Sequence, residues 1–480
     1  MISLSKYGHV YQINDHYVLY HSITTKVFFI SKTQATCLKN NGDINEIFSA
    51  SEIRLLLEKR VFVNPNEDVN EVNINNLVAL NHHQRPDVFA LYLILTEECN
   101  MDCYYCSQSA YRTEKVQNNM ELSTVIQTLD KFYVLETRRI KCIVLYGGEP
   151  LLNRSGVLGA INYIRNEKKD ADTEIVVFTN GILLDDEYIE TFKNNNVNVI
   201  VSIDGDKDIN DEFRKQGKVG TFDTIASNIY KLKDNDVTFG ISATIASHNI
   251  SMLDDVTQYF HNEFNPISLG LNPLHYPPAE RKHLGVNSDD VAKAMIMAYK
   301  TARKCGLYIE QIMRRVRPFV CSTPRLKDCP ACGGMIRVLP NGDFGPCGHF
   351  MEEGVSIETK GVSFASSKII ESWNERLSCS LQGCGNCDAM ALCGGGCPFN
   401  SVKNSGDLLY SNKDHRSCKQ AKTILKWLLS ELTVLFPENT FVEISVSDKF
   451  KLLENIDITK KTPLSEYSKY GEFKLDKQHE

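Results

Sequence analysis

Between Pro86 and about residue 310 the chain alternates short apolar runs with longer amphipathic stretches, and this alternation decides the class of fold. Strand-like runs begin near Val88, Ile140, Glu174, Val197, Val237 and Pro266. Helix-like stretches between them include Ser123 to Leu135, Asp185 to Asn194, Thr221 to Lys233 and Asp289 to Lys304. Strands and helices in this order predict a parallel sheet with right-handed crossovers. Six repeats predict an α/β fold, a partial (β/α)6 TIM-like barrel, over residues 86–314. In such barrels chemistry sits at the carboxyl ends of the strands.

Four of those ends carry unusual residues. The first run, Val88 to Leu95, leads into Cys99, Cys103 and Cys106, three thiols in a Cys-x3-Cys-x2-Cys spacing. The second ends at Gly147-Gly148-Glu149-Pro150, the third at Thr179-Asn180-Gly181 and the fourth at Ser202-Ile203-Asp204-Gly205. Three thiolates on one loop suit a metal site. An iron–sulfur cubane normally takes four protein ligands, so three leave one iron open. A three-cysteine zinc loop or a group of buried thiols has the same spacing. Gly147 and Gly148 allow close backbone approach, Glu149 adds a fixed anion and Pro150 stiffens the exit.

A second cysteine field follows. It reads Cys332-x9-Gly342-x4-Cys347, Cys384-x2-Cys387-x5-Cys393-x3-Cys397, then Cys418, with Cys329 or Cys321 as a possible eighth thiol. Eight thiolates suit two fully ligated cubanes, although Cys-x2-Cys pairs also build zinc ribbons. The chain holds 16 cysteines. With no apolar signal core at the start, they predict metal ligation in a reducing, cytoplasmic setting and not a disulfide framework. Cys37, Cys142, Cys305 and Cys379 fit neither pattern and read as apolar fillers. No apolar run reaches bilayer-spanning length, and a net charge of −7 disfavours nucleic acid as a partner.

The triad, the Gly-Gly-Glu-Pro turn and the two later strand ends together resemble the radical S-adenosylmethionine (SAM) superfamily. The resemblance implies that Cys99, Cys103 and Cys106 hold a [4Fe–4S] cluster whose open iron is chelated by SAM, and that SAM is cleaved to methionine and a 5′-deoxyadenosyl radical. It implies SAM contacts from Gly147, Gly148 and Glu149 at the ammonium group, from Asn180, Ser202 and Asp204, and from Tyr105 beside the adenine. Core packing is the plain alternative for Tyr105. Arg214 reads either as a partner of the SAM carboxylate or as a surface arginine.

The second field resembles the SPASM domain. That resemblance implies two auxiliary [4Fe–4S] clusters over residues 315–435, for three in all. Cys329, Cys332, Cys347 and Cys397 are assigned to one, and Cys384, Cys387, Cys393 and Cys418 to the other.

Residues 1–85 read as three strands, then helices, then a polar linker from about residue 64. This order is similar to the small winged-helix-like leader-binding domains of peptide-modifying enzymes; a packing or dimerisation extension has the same pattern. Residues 436–480 read as a solvated or frayed tail.

The resembling enzymes modify peptides or proteins. Sulfatase-maturating members carry an Asp after the cysteine equivalent to Cys347; here Gly348 and His349 follow. The leading expectation is a maturase that installs a thioether or carbon–carbon crosslink in a ribosomally made precursor peptide. Its leader is held by the front domain, and electrons come from a flavodoxin or ferredoxin. The alternatives are formylglycine formation and a non-catalytic iron–sulfur redox protein.

Overall fold

The computed structural model describes residues 2–64, 66, 68–83, 86–106, 119–135, 142–274, 279–347, 355–356, 368–405, 412–437, 440–464 and 469–473. In the front unit, β1 (Ser3–Leu4) pairs with β5 (Phe62–Val63), while β2 (Gly8–Ile13), β3 (His16–His21) and β4 (Val27–Ile30) form an antiparallel meander. Asn14, at φ 53, sits in the two-residue turn between β2 and β3, where Asn tolerates the left-handed region. Helices Lys32–Lys39 and Ala50–Glu58 each begin with a capping box, from Ser31 with Gln34 and Ser49 with Glu52.

This unit is not a detached bead. One face of its sheet buries Leu19, Phe28 and Ile30 under the helices. The other presents Val18, Tyr20, Val27 and Phe29 to the main core of the molecule. The outer edge of β4 pairs antiparallel with β18 (Val442–Ile444), so the sheet runs β18-β4-β3-β2.

The stretch expected to be a linker is instead a helix, Val69–His83. Asp68 accepts from Asn70 N at its start (2.9 Å). Ile74, Leu77 and Val78 share one helical face and pack with Tyr7, Leu326 and Met390. Sparse apolar residues in an Asn-rich stretch hid that face.

All six expected barrel strands are present: β6 (Ala90–Thr96), β7 (Cys142–Gly147), β8 (Glu174–Thr179), β9 (Val197–Ser202), β12 (Phe239–Ile245) and β13 (Ser268–Pro273). A small hairpin, β10 (Lys215–Gln216) with β11 (Val219–Gly220), follows β9. The sheet extends past the six at both ends. At one end β14 (Tyr308–Ile309) pairs parallel with β13. At the other, β15 (Met335–Val338) pairs parallel with β6, making eight parallel strands in a row, and β16 (Asp343–Gly345) and β17 (Val355–Ser356) follow antiparallel. β15 belongs to the second cysteine field. The sheet therefore crosses the boundary expected at residue 314, and helix Glu310–Cys321 spans it.

Alternation along the strands splits the core. Leu91, Leu93, Ile143, Leu145, Ile175, Val177, Val199 and Val201 pack in the main core. Tyr92, Val144, Val176 and Ile200 point to the other face and pack in a second cluster with Trp373.

The described residues of the tail are packed, not frayed. Lys449 Nζ is buried and donates to Thr25 O (2.5 Å), Phe319 O (3.1 Å) and Ser322 Oγ (3.3 Å). Leu452, Leu453 and Ile456 join the main core. Tyr470 donates its hydroxyl to Cys332 O, and Glu472 lies between Arg317 (3.1 Å) and Arg325 (3.6 Å). The polar tail carries just enough spaced apolar residues to act as a strap. No helix of the described residues is long and apolar enough to cross a membrane.

Candidate active site and cysteine centres

The triad loop leaves β6 and is pinned by the segment before the β10–β11 hairpin. Asp102 N donates to Lys215 O (2.8 Å) and Tyr104 N to Phe213 O (2.9 Å), while Gly217 N donates to the Asp102 carboxylate (3.1 Å). Arg281 donates to Cys106 O (3.3 Å). Burial pushes the Cys99 thiol up to about 11, and Cys103 and Cys106 add to the shift. Burial also raises Cys103, against the Arg214 guanidinium. The three thiols thus form one electrostatic group, and a metal bound there displaces the protons of Cys99 and Cys103. Asn180 Nδ2 sits 3.9 Å from Cys99 Sγ and donates to Asn100 Oδ1 (2.7 Å).

The Gly147–Pro150 turn works on the chain itself. Gly148 N donates to Thr96 O (2.9 Å) and Glu149 N to Glu98 O (2.7 Å). A Cβ at Gly147 would overlap Thr96 O, and one at Gly148 would overlap Glu98 O. The close approach expected to serve a ligand is made by the backbone that delivers Cys99. Glu149 is fully buried. One oxygen accepts from Leu151 N (3.1 Å) and Thr179 Oγ1 (2.8 Å), the other from Asn180 N (2.6 Å). Burial raises its carboxyl to about 7 despite those donors. Its described role is to tie the ends of β7 and β8 together beneath the triad.

Tyr105, Asp204 and Arg214 meet in a buried knot. The Tyr105 hydroxyl donates to Asp204 Oδ2 (2.5 Å) and accepts from Arg214 Nη1 (2.7 Å). Asp204 Oδ1 accepts from Thr244 N (2.9 Å). Arg214 is 6% exposed, which removes the surface reading. Burial drives the Tyr105 phenol well above its usual range, keeping it a neutral donor. Ser202 stands apart from this knot, paired in register with Ser242, whose hydroxyl accepts from Asn272 (3.0 Å).

His248 was not anticipated. Its ring lies over Tyr105 (centroids 6.2 Å apart), its Nε2 is 3.9 Å from Asp204, and neither nitrogen has a hydrogen-bond partner. Burial lowers its pKa, so it is neutral. The signal is in the sequence, because His248 follows the carboxyl end of β12 as the triad follows that of β6.

The eight auxiliary thiols fall into two groups. Burial raises Cys329 to about 12 and Cys332 to about 11, with Cys347 adding to both. Cys397 is raised by burial and then by Cys329 and Cys347. In the other group Cys387 and Cys418 share a hydrogen bond, Cys393 feels Cys387, and Cys384 feels Cys387. Cys321 has no thiol among its electrostatic neighbours, which are Arg317, Glu472 and Lys449. Cys329 is therefore the eighth member. Gly348 and His349 lie outside the described residues.

Between Cys393 and Cys397 the chain crosses from one group to the other through Gly394, Gly395 and Gly396, at φ 63, 84 and 72. Three consecutive left-handed residues require glycine, a second signal left unused in the sequence. Among the described residues no three such side chains converge tightly enough to hold a single metal ion. The fit to clusters rests on the grouping, burial and thiol chemistry of each set. Of the four filler cysteines, Cys37 and Cys142 are buried, and Cys305 and Cys379 are half-buried.

Residues 93–259 match the model of the radical SAM superfamily. This protein carries a radical SAM domain. Its relatives include the radical SAM cyclopropyl synthase TigE of Paramaledivibacter caminithermalis, 22% identical over 72% of this chain and 75% of that one. They also include a cysteine-type anaerobic sulfatase-maturating enzyme of Clostridium novyi, 23% identical over 70% and 94%. Two solved structures share the fold. Native anSMEcpe with bound AdoMet has a TM-score of 0.60 at 18% identity, over 72% of this chain and 98% of that one. SuiB of Streptococcus suis bound to S-adenosylmethionine has 0.55 at 13%, over 87% and 99%.

Proposed function

We propose that this radical SAM enzyme is a peptide maturase that crosslinks a ribosomally made precursor. The observation that carries this reading is the placement of the two cysteine regions on one barrel. The triad lies beyond the carboxyl end of β6. Cys329 and Cys347 pack against the cluster of Tyr92, Val144 and Val176. A substrate held inside the barrel would face both.

In this reading Cys99, Cys103 and Cys106 hold the SAM-binding [4Fe–4S] cluster. A SPASM domain holds two more, on Cys329, Cys332, Cys347 and Cys397 and on Cys384, Cys387, Cys393 and Cys418. When bound, the first cluster and SAM supply a carbon radical able to take hydrogen from an unactivated carbon. The chain's own part is positional. Gly147 and Gly148 seat the triad loop, Glu149 fixes two strand ends, and the Tyr105–Asp204–Arg214 knot holds Arg214 beside Cys103 as a fixed cation. A flavodoxin or ferredoxin supplies electrons.

Peptide substrates are supported by the related folds. SuiB was solved with its precursor peptide SuiA, and anSMEcpe with the Cp18Cys peptide. The front unit would take the leader by strand addition. With β18 on the β4 side, the described sheet has β18 and β2 as its edges, and β2 is the one that belongs to the front unit.

The test is to incubate reconstituted, reduced enzyme with SAM and the short peptides encoded beside its gene. Crosslinking predicts 5′-deoxyadenosine and loss of two hydrogens per bond from one peptide. A sulfatase-type activity predicts a new aldehyde on a Cys or Ser instead. Deoxyadenosine release with every peptide unchanged would sink the maturase reading.

A further inference from the structure

A cavity of about 180 Å³ lies where the end of β13 meets helices Glu310–Cys321 and His415–Leu435. Its wall includes Asn272, Gln311, Arg314, Arg416, Gln420 and Cys397. The volume is below that of a drug-sized site and suits one amino-acid side chain. Cys397 belongs to the first auxiliary group. Through Asn272 the cavity also touches the polar band at the carboxyl ends of the barrel strands.

Its charge is unbalanced. Two carboxylates reach it, and both are occupied. Asp328 forms a two-pronged pair with Arg315 (2.6 and 2.9 Å). Asp414 caps the helix that begins at His415, accepting from Arg416 N (3.0 Å), Ser417 Oγ (2.8 Å), Cys397 N (3.3 Å) and Asn400 Nδ2 (3.4 Å). Gln311 is fixed by Leu271 N (2.6 Å) and by Asn272 (2.6 Å). The half-buried Arg314 has neither a hydrogen bond nor an ion pair among the described residues, and the carboxyls its charge acts on at longer range are Asp328 and Glu310. Arg416 donates to Leu274 O (2.8 Å) and keeps its positive charge on the wall. The N-terminal end of a 21-residue helix points the same way.

We infer that this cavity is a specificity pocket for a carboxylate on the substrate peptide, with Arg314 as the recognising guanidinium and Arg416 as its second cation. The inference rests on the peptide-maturase reading. It narrows the substrate class to peptides with an acidic group next to the modified position. A planar guanidinium pairs two-pronged with a carboxylate, and fixed amides beside it suit the neighbouring peptide bond. The carboxylate belongs either to an Asp or Glu side chain or to the peptide's C-terminus.

The experiment is an anaerobic mRNA-display selection of short random peptides on the fully reconstituted enzyme, repeated on Arg314→Gln and Arg416→Gln. Displayed peptides have no free C-terminus, so this arm reads side chains alone. A second arm measures binding of synthetic peptides that are acidic and amidated, or neutral with a free C-terminus. The expected result is an acidic preference in one arm, with affinity falling about tenfold or more in Arg314→Gln. Iron content is measured for each variant; should Arg314→Gln lose iron, Arg416→Gln decides. Binding without acidic preference in either arm, or a preference that survives the variants, overturns the pocket while leaving the maturase reading intact. If no peptide binds at all, that reading fails and the pocket falls with it.

Discussion

The two cysteine regions of this enzyme are built in opposite ways. The triad occupies one loop after one strand, and its supports come from the next strand ends in sequence order: Gly148 and Glu149 after β7, Asn180 after β8, Asp204 after β9. A parallel sheet places such ends side by side without further instruction. The auxiliary thiols come from three separated stretches, around residues 329–347, 384–397 and 418. Their positions depend on distant pins, including Arg315–Asp328 and the tail residues Tyr470 and Glu472. One site inherits its geometry from the sheet. The other depends on pins from the far end of the chain.

The largest break in that comparison is Cys99→Ala with Cys103→Ala and Cys106→Ala. It should abolish SAM cleavage and remove about four of about twelve irons, leaving the auxiliary content intact. Iron analysis with a deoxyadenosine assay checks both halves. Gly148→Val should come next, because its side chain must push Glu98 and so move Cys99. We expect SAM cleavage to fall more than tenfold, with iron lost as well. A variant that lost SAM affinity but kept full iron would mean that the glycine serves the ligand after all.

The opposite break is to end the chain at Leu464. Arg325 then loses Tyr470 O (2.6 Å) and Glu472. Taking two partners from a fully buried guanidinium costs on the order of 3–5 kcal/mol. The auxiliary iron should drop while the triad's four irons remain, as read by iron analysis and Mössbauer spectra. Equal loss from both regions would show that the strap holds the barrel too.

A smaller effect should appear at Glu310, half-buried at the start of helix Glu310–Cys321 and accepting from Thr462 (3.2 Å). Burial raises its carboxyl from 4.5 to about 7. Below pH 4.5 it is protonated in both folded and unfolded chains. Between 4.5 and 7 the unfolded chain releases a proton that the folded one keeps, so stability is lost as pH rises through that window. Glu310→Gln should therefore raise the melting temperature at pH 8 and not at pH 4, by an amount equivalent to about 2–3 kcal/mol. Smallest is Tyr105→Phe, which leaves Asp204 and Arg214 one hydrogen bond short each. We expect about 1–2 kcal/mol of lost stability, with iron content unchanged.

The sequence alone determined the barrel and the thiol inventory. Apolar runs of strand length repeat with helix-length gaps, and cysteine spacing is written directly in the chain. Long-range pairing is not written there. Only the tertiary structure made β15 of the second cysteine field a neighbour of β6, turned the Asn-rich stretch into helix Val69–His83, and closed the β4 edge with β18 from the far end. It also brought Gly148 against Glu98 of the triad loop, because a glycine's freedom says nothing about which backbone comes near. Local periodicity reports what a segment can bury. What it buries against depends on contacts hundreds of residues away, such as those of Lys449 with Thr25 and Tyr470 with Cys332, and no local pattern encodes them.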